Sequence, residues 1–292
     1  MKVALIGGNS FIASAINKSV HFEMSKICCC ARSNPSQYPE FKFFDYPNTD
    51  ISFLLDFDLI VNCLGVGVQS NRPVTASEIY KSNTFFPIEL IEYLNENNFN
   101  GTLITFGSYF EIGNNDQNVA YTEVALQNSM LSVPNDYCIS KRLLTKYISS
   151  KVPCFNLYHL ILPSVYGPGE NENRIIPYTI NNIKKSVALE FSEGLQIRQF
   201  LHVNDLINAM KILVDKKAAS GIYNVATSYV CSIRDLIKSI GSVLDTEIDD
   251  NCFGLKLTRD TSLKSLQLNG EKLFALGFSP EINIKSGIIG YL

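Results

Sequence analysis

Three tyrosines in this chain are followed four residues later by a lysine: Tyr38 with Lys42, Tyr137 with Lys141, and Tyr147 with Lys151. On a helix that spacing puts both side chains on one face. A nearby ammonium stabilises a phenolate and lowers the tyrosine pKa from its usual value of about 10. Such a tyrosine can pass a proton to or from a carbonyl oxygen near neutral pH. Context separates the three pairs. Tyr38 and Lys42 flank Pro39 in what reads as a loop, and Tyr147 and Lys151 lie at the far end of a helix that stops before Pro153. Tyr137 and Lys141 open that same helix, after Pro134-Asn135-Asp136. Ten residues along a helix axis are roughly 15 Å, so one site cannot use both helical tyrosines. Tyr137 starts the helix near the carboxyl ends of the strands, where open α/β sheets bind ligands. Ser108 follows a strand-like run, and a hydroxyl there can orient the same carbonyl oxygen. Ser108, Tyr137 and Lys141 form the candidate catalytic set.

The first half of the chain supplies a scaffold by alternating β-rich runs with helical patterns. Strands are expected over 2–6, 26–31, 59–64, 101–106 and 154–162, and helices over 11–20, 79–97 and 136–150. In the second of these helices Ile79, Phe86, Leu90, Ile91 and Leu94 recur at helical spacing. This alternation predicts an α/β fold with a doubly wound parallel sheet of the Rossmann type. The strands are continuous apolar runs, as expected of a sheet buried on both faces. After Tyr166 the segment 167–173 is polar and rich in breakers, so it reads as a loop, and the sequence beyond is less regular. The expected organisation is a dinucleotide-binding domain over 1–166 and a smaller C-terminal α/β substrate lobe over 167–292. A helix near 204–215 is expected to pack back on the first domain.

Gly7-Gly8-Asn9-Ser10-Phe11-Ile12 joins the first strand to the first helix. A tight turn there needs glycine for its dihedrals and for close approach to a pyrophosphate. The helix N-terminus then offers N–H groups to the phosphates. The end of the second strand selects among dinucleotides, because NAD sites carry an acid there for the adenosine ribose. No acid occurs between Glu23 and Glu40, and the strand runs instead into Arg32 and Ser33. A guanidinium and a hydroxyl suit a 2′-phosphate. The expected cofactor is NADP(H).

Composition narrows the remaining classes. The chain has 292 residues and a net charge of −3, without the basic stripe that a nucleic-acid partner requires. Its eight cysteines include no CxxC, and Cys28, Cys29, Cys30, Cys63 and Cys154 sit in apolar or strand-like runs. They read as reduced, buried thiols of a cytoplasmic protein, with no metal site. His21, His159 and His202 are far apart, and His159 reads as structural. The apolar run 3–6 is too short for a signal segment. The run 51–68 is broken by Asp56 and Asp58, so no membrane span is expected.

Taken in order, the motifs resemble those of the extended short-chain dehydrogenase/reductase family, of the NAD-dependent epimerase/dehydratase type, in its nucleotide-sugar branch. The resemblance runs over nearly the whole chain. It rests on the glycine loop, Asn62-Cys63-Leu64-Gly65, Phe106-Gly107-Ser108, Tyr137-Cys138-Ile139-Ser140-Lys141, Val165-Tyr166-Gly167-Pro168-Gly169, the stretch from Gln196 to Asp205, and Leu276-Gly277-Phe278. The resemblance implies that Ser108 donates to the substrate carbonyl, Tyr137 is the acid/base, and Lys141 binds the nicotinamide ribose. It places Leu64, Gly65, Pro163, Ser164 and Val165 along the cofactor, and Arg198 on the pyrophosphate of a nucleotide sugar. Tyr109, Arg174 and Arg259 are further substrate candidates. Ser10 and Ala13 stand where the family has its second and third loop glycines.

Within that family, dehydratases carry Asp-Glu after the catalytic hydroxyl residue, whereas this chain has Tyr109-Phe110. The 4-epimerases retain NAD, and the ribose acid is missing. The stretch from Gly167 to Pro177, with Gln196 to Phe200, is most similar to the 4-ketoreductases of deoxysugar and O-antigen biosynthesis, such as CDP-abequose and CDP-paratose synthases and dTDP-4-keto-6-deoxyhexose reductases. The expected reaction is NADPH-dependent reduction of the C4 ketone of a CDP- or dTDP-linked 4-keto-6-deoxyhexose. Non-catalytic NADP-sensing relatives lose the tyrosine or lysine or carry a basic face, and this chain does neither. The resemblance also implies a homodimer, with helices near 79–97 and 136–150 pairing as a four-helix bundle and Phe85, Phe86 and Leu90 in contact.

Overall fold

The computed structural model describes residues 1–22, 25–35, 37–67, 73–256 and 263–292. Seven strands form the main sheet: β1 (Lys2–Ile6), β2 (Lys26–Ala31), β3 (Glu40–Phe43), β4 (Leu59–Asn62), β5 (Thr102–Ser108), and the later strands Asn156–Leu162 and Gly221–Asn224. Between those two groups falls β6 (Ala120–Tyr121), which makes the later pair β7 (Asn156–Leu162) and, after β8 (Ser164–Tyr166) and β9 (Ile197–His202), β10 (Gly221–Asn224). β11 (Val230–Ser232) and β12 (Ser265–Leu268) complete the strands described. The main sheet runs β10-β7-β5-β4-β1-β2-β3 and its pairs are parallel. The second sheet runs β11-β9-β12-β6, with β8 beside β9. The fold is the expected α/β class with a Rossmann sheet.

β1, β4, β5 and β7 are almost wholly buried along their lengths. Alternate residues therefore feed two cores: Val3, Leu5 and Cys29 pack on one face, Ala4, Ile6, Cys28 and Cys30 on the other. The helices are α1 (Phe11–Lys18), α2 (Ala76–Tyr80), α3 (Phe86–Glu96), α4 (Glu123–Asn128), α5 (Asp136–Ser149), α6 (Ile175–Lys184), α7 (Val203–Asp215), α8 (Ile233–Val243), α9 (Glu271–Phe274) and α10 (Ile284–Ile289). Side-chain caps begin the ones that matter to the cleft. Ser10 accepts from the Ala13 N–H at 3.3 Å and Asn135 from the Cys138 N–H at 3.0 Å, each satisfying a donor that the first helical turn leaves free. α7 shares a core with α1 and β1, so the segment near 204–215 does lie against the first sheet.

Several expectations change. The helix expected over 79–97 is α2 and α3 joined through a π-helical turn at Lys81–Phe85. The strand expected from 154 begins at Asn156, which leaves Cys154 exposed in the preceding loop, unlike the buried Cys28, Cys29 and Cys30. The segment around Tyr38 and Lys42 is not all loop: Lys42 lies in β3, and the buried Tyr38 donates its hydroxyl to the Gly8 carbonyl at 2.6 Å. The chain also crosses between the sheets more often than a division at 166 implies. β6 pairs with β12 in the second sheet, and β10 closes the edge of the first. Phe86 and Leu90, expected at a dimer contact, are 1% and 0% exposed in the chain's own core, whereas Phe85 is 52% exposed. Their helical stripe faces the sheet because the apolar side of an amphipathic helix is taken by the nearest core. Among the described residues no helix is long and apolar enough to cross a membrane, and no cluster of side chains could hold a metal ion.

Candidate active site

The strand order reverses between β1 and β4, and open α/β sheets form their ligand crevice at such a reversal. Gly7 sits there with φ +75°, a region open to glycine, and a Cβ on it would stand 2.7 Å from the Leu64 backbone nitrogen. A Cβ on Gly8 would meet the Cys29 sulfur at 2.3 Å. The two glycines thus serve different ends: Gly7 lets the loops after β1 and β4 close on each other, and Gly8 lets α1 approach the sheet. Between these loops lies a cavity of about 460 Å³, lined by Gly7, Asn9, Ser10, Arg32, Ser33, Leu64 and Gly65 together with Asp45, Tyr46 and Lys81. Asn9 donates to the Ser33 hydroxyl at 2.8 Å, tying the glycine loop to the end of β2.

Leu64 and Gly65 also wall a second hollow, of about 200 Å³, with Ile12, Ser108, Tyr137, Lys141, Pro163, Ser164 and Val165. The three residues of the candidate catalytic set therefore meet, although they come from β5 and α5. Lys141 is buried and donates to the Phe106 carbonyl at 2.8 Å, with its ammonium 6.0 Å from the Tyr137 ring centre. Burial pushes its pKa down to about 8, against the raising influence of Glu111 and Cys63. Burial also drives the Tyr137 phenol well above its ordinary value, opposed by the nearby Ser108 hydroxyl and by the Arg174 charge. This corrects the expectation of a lowered tyrosine pKa. The desolvation of the hollow exceeds the pull of its cations, and Tyr137 stands as a neutral phenol, the form that gives a proton.

Arg174, Ser164 and Phe110 line this hollow and also a third one, of about 390 Å³, that continues into the second sheet. Arg198, Gln196, Tyr178 and Lys256 contribute to its wall. Arg198 is 3% exposed and donates to the carbonyls of Ile197 and Leu263 at 2.8 and 2.9 Å. Arg174 pairs with Glu170 at 3.0 Å, and the Glu170 carboxylate also accepts from Tyr291 near the C-terminal end of the chain. Arg174 thus reaches both the catalytic hollow and the outer one, nearer the chemistry than its sequence alone indicates.

The other expected residues fall as follows. Gly8 and Phe11 stand back from the cavities and serve packing. Tyr109 is 1% exposed and does not face the substrate side; its hydroxyl bonds to Ser164 at 2.7 Å while its neighbour Phe110 lines the hollow. Arg259 lies outside the described residues. The remaining tyrosine–lysine pair is engaged elsewhere, since Tyr147 and Lys151 both bond to Glu92. Sequence reasoning missed Asn83. It accepts from the Val66 N–H and donates to the Val66 carbonyl, both at 2.9 Å, and donates to Ser140 at 3.0 Å. The π-helical turn aims it inward, and such turns recur at functional sites, but nothing in the local sequence spells one. Phe110 and Lys256 were missed because a pocket wall assembled across lobes carries no local pattern.

The CDP-abequose synthase of Salmonella typhimurium is 30% identical over 161 residues, 52% of this chain and 53% of that one, so the matched stretch spans about half of that relative. The CDP-abequose synthase of Yersinia pseudotuberculosis is 25% identical over 266 residues, 87% of each chain. A dTDP-D-glucose 4,6-dehydratase of Homo sapiens is 26% identical over 161 residues, 53% of this chain and 46% of that one. Among solved structures, the UDP-glucuronic acid 4-epimerase from Bacillus cereus, in complex with UDP-glucuronic acid and NAD, matches with a TM-score of 0.82 at 17% identity, covering 99% of this chain and 97% of that one. At that identity the likeness is one of fold. The family match runs over residues 3–226, from the first strand through the glycine loop and the Ser108–Tyr137–Lys141 set to β10, and the chain belongs to the NAD dependent epimerase/dehydratase family.

Proposed function

We propose that this chain is an enzyme that reduces the C4 ketone of a nucleotide-diphosphate 4-keto-6-deoxyhexose, CDP- or dTDP-linked, with NADPH. The observation that carries the reading is the run of three adjoining hollows. The first passes from Arg32 and Ser33 to Leu64 and Gly65, the second holds Ser108, Tyr137 and Lys141, and the third ends at Arg174 and Arg198. A dinucleotide suits the first: Gly7 allows the tight turn and the α1 N-terminus opens on the cavity. When bound, the cofactor supplies the hydride. Arg32 and Ser33 would hold a 2′-phosphate at the rim of the cavity.

The chain's own groups then handle the oxygen. Ser108 donates to the substrate carbonyl, Tyr137 gives it a proton, and Lys141 supplies positive charge beside the phenol as that proton leaves. Arginine binds diphosphate oxygens through paired donors, which gives Arg174 and Arg198 their task. Reduction is favoured over dehydration because no carboxylate lines the catalytic hollow among the described residues. The two residues that follow Ser108, Tyr109 and Phe110, carry no carboxyl. The two CDP-abequose synthases support the same substrate class.

A panel of CDP-, dTDP-, GDP- and UDP-linked 4-keto-6-deoxyhexoses, incubated with NADPH and analysed by mass, tests this. The expected result is NADPH consumption with a product that gains two hydrogens from a CDP- or dTDP-linked substrate. Absence of reduction across the panel contradicts it.

A further inference from the structure

Behind Ser108 lies a carboxylate that the proposed reaction leaves unused. Glu111 is 0% exposed. Its Oε1 accepts from the Ser108 backbone N–H at 2.6 Å and its Oε2 from the Thr145 hydroxyl at 2.5 Å. Thr145 also contacts His159 Nε2 at 2.9 Å, and Thr105 contacts His159 Nδ1 at 2.7 Å. Since the single Thr145 proton goes to Glu111, Nε2 carries the imidazole proton and Nδ1 accepts from Thr105. A Cβ on Gly107 would stand 2.7 Å from Glu111 Oε1 and 2.8 Å from His159 Nε2, so glycine at 107 admits this chain of groups beneath the strand. Buried carboxyls are rare unless paired, and this one has no basic side chain in hydrogen-bond contact among the contacts described.

We infer that Glu111 is a positioning residue of this site, fixing Ser108 through its backbone N–H and setting the charge state of Lys141 from behind. The inference rests on the Ser108–Tyr137–Lys141 reading. The charged and titratable groups facing Glu111 are Lys141, Arg142 and Tyr137 from α5, with neutral His159 from β7. Burial pushes the Glu111 carboxyl up to about 7, opposed by Thr145, the Ser108 N–H, Lys141 and Arg142. Its negative charge in turn raises Lys141, whose pKa burial has pushed down to about 8. Lys141 therefore stays protonated to higher pH when Glu111 is ionised.

Glu111→Gln separates this role from simple packing. Glutamine can keep both contacts if the hydroxyl chain reverses, but it carries no charge. With the keto-sugar and NADPH, the kcat of Glu111→Gln should fall below that of the unmutated enzyme at pH 8.5, since removing the Glu111 charge lowers the Lys141 pKa and with it the charged fraction at that pH. The deficit should shrink steadily toward pH 6, where both proteins hold an uncharged side chain at 111. Melting temperature gives a readout without turnover. A carboxyl whose pKa is raised by folding contributes stability that is full below its ordinary value of 4.5 and is lost as pH rises through about 7. Glu111→Gln should therefore melt higher than the unmutated protein at pH 8.5 although it is the poorer catalyst. Thr145→Val, which keeps the carboxyl and removes a hydroxyl that favours its ionised form, should move the fall of kcat to lower pH. Parallel pH profiles, or a lower melting point for Glu111→Gln at pH 8.5, overturn the inference. Tyr137→Phe is measured alongside: if it remains active, the reading of the site fails and the inference with it, whereas an inactive Tyr137→Phe with parallel Glu111→Gln profiles removes the inference alone.

Discussion

Tyr147 and Lys151 share Glu92 at one end of α5, while Tyr137 and Lys141 face the hollow at the other. At the level of residues this makes a direct pair of experiments. Tyr137→Phe should lower kcat by about 10²–10⁴-fold, the usual worth of a positioned proton donor, while leaving NADPH affinity nearly intact. Tyr147→Phe should leave kcat within about twofold, because surface contacts of this sort contribute little. Equal losses in the two variants contradict the assignment. The pH profile adds a second check. Lys141 acts as a cation and its pKa is held near 8, so kcat should fall as pH rises through about 8. A profile flat to pH 10 contradicts that role. The identity of Tyr137 and Lys141 was legible in the sequence because a four-residue spacing on a helix is a local fact. The direction of the tyrosine pKa was not, because desolvation depends on walls contributed by Pro163, Ser164 and Phe110 from elsewhere in the chain.

The strands β1 and β2 match their expected bounds residue for residue, since a continuous apolar run ended by glycine or arginine leaves little choice. Short or composite elements were hidden. β10 has four residues and β6 has two, and such lengths carry no periodic signal. The π-helical turn between α2 and α3 depends on Asn83 finding Val66 and Ser140, partners distant in sequence. The loop after β1 is the element on which the cofactor reading depends. Gly7→Ala would place a non-glycine residue at φ +75° and a methyl 2.7 Å from the Leu64 nitrogen. That strain costs on the order of 1–3 kcal/mol and opens the gap between the loops after β1 and β4. A tenfold or greater loss of NADPH affinity by fluorescence titration is expected, with the protein still folded by circular dichroism. Unchanged affinity would show that this loop does not carry the cofactor.

The whole molecule was read from sequence as two lobes meeting at residue 166, and the site does lie between two sheets. The strands that build each sheet, however, are interleaved along the chain. Long-range pairings such as β10 with β7, or β12 with β6, follow from packing rather than from local pattern. Assembly follows the same logic. Phe85 and Leu143 are 52% and 46% exposed on the helical layer formed by α3 and α5, while Phe86 and Leu90 face inward. A homodimer through that layer is therefore proposed to rest on Phe85 and Leu143. Light scattering at micromolar concentration should give twice the chain mass, and Phe85→Glu should halve it without lowering the melting temperature by more than a few degrees. A monomeric mass for the unmutated protein contradicts the dimer.

The central claim is net hydride delivery to C4 of a nucleotide-linked keto sugar. The most direct measurement supplies NADPH carrying deuterium at the transferable nicotinamide position, with the CDP- or dTDP-linked 4-keto-6-deoxyhexose, and locates the label by NMR. The account predicts one deuterium on sugar C4 for each NADPH oxidised, and none when Tyr137→Phe replaces the unmutated enzyme. A keto sugar recovered unreduced at C4, with no deuterium incorporated and no NADPH consumed, would contradict the account.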